Sequence, residues 1–454
     1  MKQSVRITLL VSIVLPQLIF NSCRKVPDEF AASDKYRVVW TDDPSTTLTI
    51  AWDQLDGTTA EVYYGLADHG RKYWKYTESQ APQIEMNRYE MFTRFAKLSG
   101  LSPGTNYYFV LKDDKGVSKR YWFKTAPAQP EPFTFVAGGD TKSQDEPLEA
   151  GRASNRLVSK LRPLFVIYNG DFTSGDGTNP EFWKQWLTDW HTQTTTEDGR
   201  MIPIFPVMGN HEKGNKRNLN IIFNAPYQFN DTTHVYNSLN VGGNLMHMIA
   251  LNSEIRTDSL QKDWLIRDLE AHRDFQFKIA GYHKPFFPHT QGKSEKPIIY
   301  NAWSRLFYNY GLDLSLDADS HMHKITFPIK PDSSDQAYMG FVRDDENGTM
   351  FIGEGSWGAM PRENNDDKPW TLTSGSFNQI KWIHVFPEKN DMEAQMAIYT
   401  VISTEYDQNG KQTFYDDIEA LSEENLFSLP SGIRLHKMEK YGDVVKYPFH
   451  LNAD

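Results

Sequence analysis

The chain has 454 residues, a formal net charge of -11 and one cysteine, Cys23. That length fits two or three domains with sizeable cores, and a single cysteine excludes any intrachain disulfide, so stability must come from packing. The acidic balance excludes a surface that coats nucleic acid.

Lys2 and Arg6 precede an apolar run over residues 7–20 that Pro16 interrupts. The run is shorter than the ~20 residues that span a bilayer, so residues 1–22 read as a secretory signal. Cys23 follows at once, where it looks like the lipid-modified residue of a bacterial lipoprotein. This predicts an exported chain, periplasmic or on the cell surface, anchored to the membrane through Cys23, with residues 23–35 as a tether. Phe20 and Asn21 stand where such signals usually carry Leu and a small residue, and an ordinary signal peptide is the alternative.

Residues 36–126 show short strands and turns with no helical period. Residues 46–52 alternate with period two, and further runs occupy 60–65, 89–98, 105–110 and 119–123. This predicts an all-β sandwich. Residues 101–107, Leu-Ser-Pro-Gly-Thr-Asn-Tyr, resemble the tyrosine corner of a fibronectin type III module. Pro127, Pro130 and Pro132 mark residues 127–132 as a linker. From Phe133 apolar runs alternate with amphipathic helices over 149–160, 181–187, 261–269 and 303–310, as in an α/β sheet. Strands return at 349–352, 380–386 and 393–400, which predicts a second sheet in a domain over 133–402. Residues 403–454 form a C-terminal extension.

Five apolar runs end in polar residues. They lead into Asp140, into Asp171, into Asn210-His211-Glu212, into His283, and through Asp317-Ala318-Asp319-Ser320 into His321-Met322-His323. Strand ends are where α/β folds build sites, and Asp, Asn and His together make a hard-to-borderline donor set. The glycine-rich residues 353–358 lack the Lys-Ser/Thr and helix of a P-loop. They are placed at the rim of the cleft, with Trp357 either stacking on a leaving group or packing.

In order and spacing these blocks resemble the calcineurin-like metallophosphoesterases, and within them the purple acid phosphatases. The resemblance implies a four-layer αββα sandwich behind a fibronectin type III-like all-β domain. It also implies two metal ions drawn from Fe, Zn or Mn, with Asp171 bridging them. One ion would take Asp171, Asn210, His283 and His321, and the other Asp140, Asp171 and His323. The implied reaction is hydrolysis of phosphomonoesters by a metal-bound hydroxide. His211 would stabilise the transition state or protonate the leaving group, or else orient ligands from outside. His289 is a candidate general acid or a solvated loop residue. The chain departs from the family pattern at Lys142 and Ser174, where a first-metal His or Tyr would stand, and at Ser320, where a Gly would stand. Ser174, Thr141 or water would then fill the gap, and the purple colour would be absent. The alternatives are a phosphodiesterase or nucleotide pyrophosphatase on the same fold, and a non-catalytic surface lipoprotein that binds glycan or protein.

Overall fold

The computed structural model describes residues 25–141 and 148–449; the signal segment, Cys23 and Lys142 lie outside them. Two sheets, of eleven and seven strands, pack face to face. At the heart of the larger sheet Phe133–Gly138, Phe165–Tyr168 and Ile204–Pro206 run parallel. The smaller sheet has a parallel core of Met246–Ala250, Phe277–Gly281, Leu314–Leu316 and Met350–Gly353. Strands buried on both faces need apolar residues at every position, and these runs supply them.

Alternation then assigns each side chain to a layer. Phe165 and Ile167 point between the sheets, against Met246, Met248 and Ile279. Val166 and Tyr168 point the other way, onto helices α1 (Leu148–Leu161) and α2 (Pro180–Thr194), where they meet Leu157, Trp183 and Trp190. A short helix, α3 (Asn218–Phe223), follows the third parallel strand. On the far face of the second sheet, Ile249, Ala280 and Phe351 pack on α4 (Leu260–Ala271) and α5 (Pro297–Asn309) through Leu265, Leu269, Trp303 and Phe307. The order is helix, sheet, sheet, helix, which is the expected αββα architecture. Local chemistry marks the helix starts: Pro180 opens α2 and the Asn179 side chain accepts from Glu181 N at 2.9 Å, while Pro297 opens α5.

The N-terminal domain is the expected β-sandwich, and its tyrosine corner is formed: Tyr107 Oη accepts from Ser102 N at 2.8 Å. Its junction with the next domain is closer than three prolines alone would indicate. The strand Ser33–Val39 pairs in parallel with Ile204–Pro206, and Trp40 N donates to Ile204 O at 3.2 Å. The larger sheet therefore runs through both domains. Buried Arg37 reinforces the joint by donating to Ile222 O in α3 at 2.9 Å. At the other end, position 402 falls inside the strand Gln395–Tyr406. Gln412–Phe414 and Val445–Tyr447 then pair with that strand, so the extension belongs to the sheet edge. It also lies on α1, through an Arg156–Asp416 ion pair at 2.5 Å and a Leu421 N to Lys160 O bond at 2.8 Å.

His191 of α2 sits in this junction, its ring edge-on to Tyr36 and its Nε2 3.1 Å from Tyr121 Oη. Burial, followed by Lys119, Lys35 and Arg37, lowers the imidazole to about 4. A histidine depressed in the folded state stabilises the fold above its unfolded value of about 6.5, and that contribution drains away as the pH falls. Linkage gives a loss of about 2 kcal/mol between pH 7 and pH 5. Melting of the wild type should therefore fall more over that range than melting of His191→Gln. Parallel pH dependence in the two proteins would contradict this.

Candidate metal centre

The polar strand ends meet at one edge of the stacked sheets. Asp140, Asp171 and His283 each present a donor atom, all within 4.8 Å of one another. Asp140 lies two residues past its strand, at φ 64°, and Asp171 three past its own, at φ 55°. Left-handed backbone is unfavourable for side-chain-bearing residues, so neighbouring bonds must hold these turns. Asp140 N donates to Gly170 O at 3.0 Å and Thr141 N to Asp171 O at 3.1 Å, which knits the two loops together. Glu212 clamps the next loop. Its buried carboxylate accepts from Asp171 N (2.9 Å), Phe172 N (2.9 Å) and Gly209 N (3.0 Å). Gly209 admits no side chain, since a Cβ there would stand 2.3 Å from Asp171 N.

His283 Nδ1 donates to Asn169 O at 2.8 Å, which turns Nε2 inward. That atom is 3.2 Å from Asp171 Oδ1, 3.2 Å from Asn210 Oδ1 and 3.5 Å from Asp319 Oδ1. A backbone acceptor behind a histidine, with its second nitrogen facing carboxylates, is the usual orientation of a metal ligand. Burial alone would lower the His283 imidazole, but Asp171, Asp319 and Asp140 raise it well above its ordinary value. The site carries more negative charge than its side chains neutralise. Asp140 Oδ1 is buried with no hydrogen-bond partner among the described residues. A buried carboxylate oxygen without a hydrogen bond, amid excess negative charge, fits a bound cation.

The last loop departs from expectation. His321 reaches the centre, with Nε2 3.4 Å from Asp140 Oδ1 and Nδ1 3.3 Å from Met360 O. Its companion there is Asp319, which was not among the expected ligands. Asp319 N donates to Asp140 Oδ2 at 2.9 Å, and with the Asn210 amide turned over, its nitrogen stands 2.8 Å from Asp319 Oδ1. Lys293 Nζ pairs with the same oxygen at 2.5 Å. His323 is elsewhere: it opens the strand His323–Thr326, its Nδ1 2.6 Å from Lys381 Nζ and its ring on Phe377 and His436. Among the described residues no carboxylate lies within ion-pair distance of it.

His289 is also removed from the expected role of solvent-side acid. It is fully buried, with Nδ1 3.0 Å from Glu354 Oε1 and Nε2 2.7 Å from Thr371 Oγ1, so both ring nitrogens are taken. The loop after His283 turns inward because Phe286 and Phe287 join the core, and it carries His289 with it. His211 does stand at the rim. Its side chain is 24% exposed, its backbone N donates to Asp171 Oδ1 at 2.9 Å, and its Nε2 is 3.6 Å from Asp171 Oδ2. Thr141 Oγ1 is bonded to the Tyr168 hydroxyl, whereas Ser174 Oγ is buried without a partner among the described residues. Trp357 packs, fully buried, with Nε1 donating to Asn155 Oδ1 at 2.9 Å. The glycine run that carries it backs the site: a Cβ on Gly355 would lie 1.8 Å from Asp140 Oδ2.

Comparison with known proteins agrees with this fold. The model of the purple acid phosphatase N-terminal domain matches residues 33–125, and that of the calcineurin-like phosphoesterases matches residues 123–323. Uncharacterized proteins from two Mycobacterium tuberculosis strains are 21% identical over 336 residues, 63% of this chain and 60% of theirs. The chain thus spans about 60% of the length of these relatives. Purple acid phosphatase PPD1 from yellow lupin (Lupinus luteus) seeds has a similar fold, with TM-score 0.66 at 15% identity over 85% of this chain and 74% of that one. PhoD is similar too, with TM-score 0.59 at 10% identity over 86% and 90% of the two chains. The two models match in tandem over residues 33–323, so in domain order the chain resembles the purple acid phosphatases, with a region over residues 123–323 that matches the calcineurin-like phosphoesterases.

Proposed function

We propose that the protein is an exported, lipid-anchored, metal-dependent phosphoesterase that hydrolyses phosphomonoesters at a binuclear centre. The observation that carries this reading is the convergence of Asp140, Asp171, Asn210, His283, Asp319 and His321 around one excess of negative charge. Asp171 would bridge the two ions. Asp140 and His321 would complete one ligand set, and Asn210, His283 and Asp319 the other. Bound there, the ions would supply a nucleophilic water at neutral pH and charge stabilisation for the developing oxyanions. His211, partly exposed beside Asp171, is placed to hold a phosphate oxygen or to give a proton to the leaving alkoxide. Lys293 is paired with Asp319; with that carboxylate holding a cation, its ammonium would be available to a phosphate oxygen. Export and anchoring rest on the signal-like residues 1–22 and on Cys23.

The test joins metal content to turnover. Protein lacking residues 1–22 should bind about two transition-metal ions per chain. It should cleave a chromogenic phosphomonoester faster than a diester, and Asn210→Ala should lose most of that rate. An absence of turnover under Zn, Mn and Fe supplementation would defeat the reading, and a preference for the diester would redirect it.

A further inference from the structure

Beside the metal centre runs a groove of about 480 Å³. It begins at Lys284, the residue after His283, and continues between the loop that carries Ile255, Arg256 and Thr257 and the start of α5 at Lys296 and Ile298. We propose that this groove is a subsite for a second anionic group of the substrate, so that the preferred esters carry a phosphate or carboxylate remote from the scissile phosphate. The proposal rests on the phosphoesterase reading above and names the substrate class of that site.

The charge pairing supports it. Lys284 is neutralised by Glu254 at 2.6 Å and Arg256 by Asp258 at 3.1 Å. Lys296 has no carboxylate within ion-pair distance among the described residues, and Glu295, the other carboxylate of the walls, stands beyond that distance from it. Burial lowers the Lys296 ammonium; Asp319 and Glu254 oppose this, while Lys284 and Lys293 add to it. A partly buried cation without an ion-pair partner of its own costs free energy that an anion in the groove would offset. A second observation points to the same ligand. Thr257 lines the groove at 2% exposure, and its hydroxyl has no hydrogen-bond partner among the described residues. Thr257 and Lys296 line the same groove, and a hydroxyl and an ammonium are donors suited to phosphate or carboxylate oxygens. Ile298, 70% exposed, offers apolar surface for the carbon chain between the two anionic groups.

Inorganic pyrophosphate is the probe, titrated calorimetrically into the metal-free full-length chain so that binding is read without the metal centre. Lys296→Gln should weaken binding about tenfold, the size of one charge-assisted hydrogen bond. Thr257→Val should weaken it further, Lys296→Arg should restore it, and the remote Lys330→Gln should leave it unchanged. On metal-loaded protein, the preference for an alkanediol bisphosphate over the matching alkyl monophosphate should fall about tenfold in Lys296→Gln. Pyrophosphate affinity that is the same in wild type and Lys296→Gln would overturn the subsite. If neither ester is turned over while pyrophosphate binding still depends on Lys296, the phosphoesterase reading fails and the anion site stands.

Discussion

Asp319→Ala should lose one of the two metal ions and lower kcat roughly a thousandfold, about 4 kcal/mol of transition-state stabilisation. His323→Asn should keep both ions and most of the rate. The contrast follows from where the two side chains stand. Asp319 Oδ1 lies 3.5 Å from His283 Nε2 and within reach of the Asn210 amide. His323 is buried between the sheets against Lys381 and Phe377. Truncating Asp319 has a second consequence, because Lys293 then faces the centre without its partner and opposes cation binding. Metal content by mass spectrometry, with rates at saturating metal, reads both variants. Metal and activity retained in Asp319→Ala but lost in His323→Asn would restore His321 and His323 as the ligand pair.

Most of the candidate centre was legible because its polar residues sit at the ends of apolar runs. Asp140, Asp171, Asn210 and His283 each follow a strand that is buried on both faces, and such a run is visible in composition alone. The last loop was less legible, because His-x-His points to His323 whereas the structure brings Asp319 beside His283. A signal was present in the spacing. Asp140 and His283 come two residues after their strands, Asp171 three and Asn210 four. After Leu316 the same reach arrives at Asp319, three residues on, while His323 is seven on and already opens the next strand. The burial of His289 was not legible for another reason. Its distance along the chain from His283 says nothing about which way the loop folds, and the burial of Phe286 and Phe287 decides that. The junction of the two domains was likewise hidden, since the pairing of Val39 with Ile204 is long-range and leaves no periodic trace.

Lys324→Met should destabilise the fold by about 3–5 kcal/mol, the usual cost of breaking a buried ion pair from one side. Lys324 is 2% exposed, with Nζ 2.7 Å from Asp317 Oδ2 and 3.0 Å from Glu354 Oε1. Methionine matches its length and fills the space, but leaves two buried carboxylates with no cation between them. Burial already pushes the Asp317 carboxyl up to about 7, so the variant should respond by taking up a proton there. The same cluster supports the metal centre. Glu354 N donates to Met322 O at 2.9 Å and Met322 N to Glu354 O at 3.2 Å, which fixes the loop carrying Asp319 and His321. Weaker metal binding should therefore accompany the lower melting temperature. Adding Asp317→Asn to Lys324→Met removes one of the stranded charges and should recover a large part of the loss. A double variant no more stable than Lys324→Met would show that the lysine acts through packing of its stem, and the charge argument would fall.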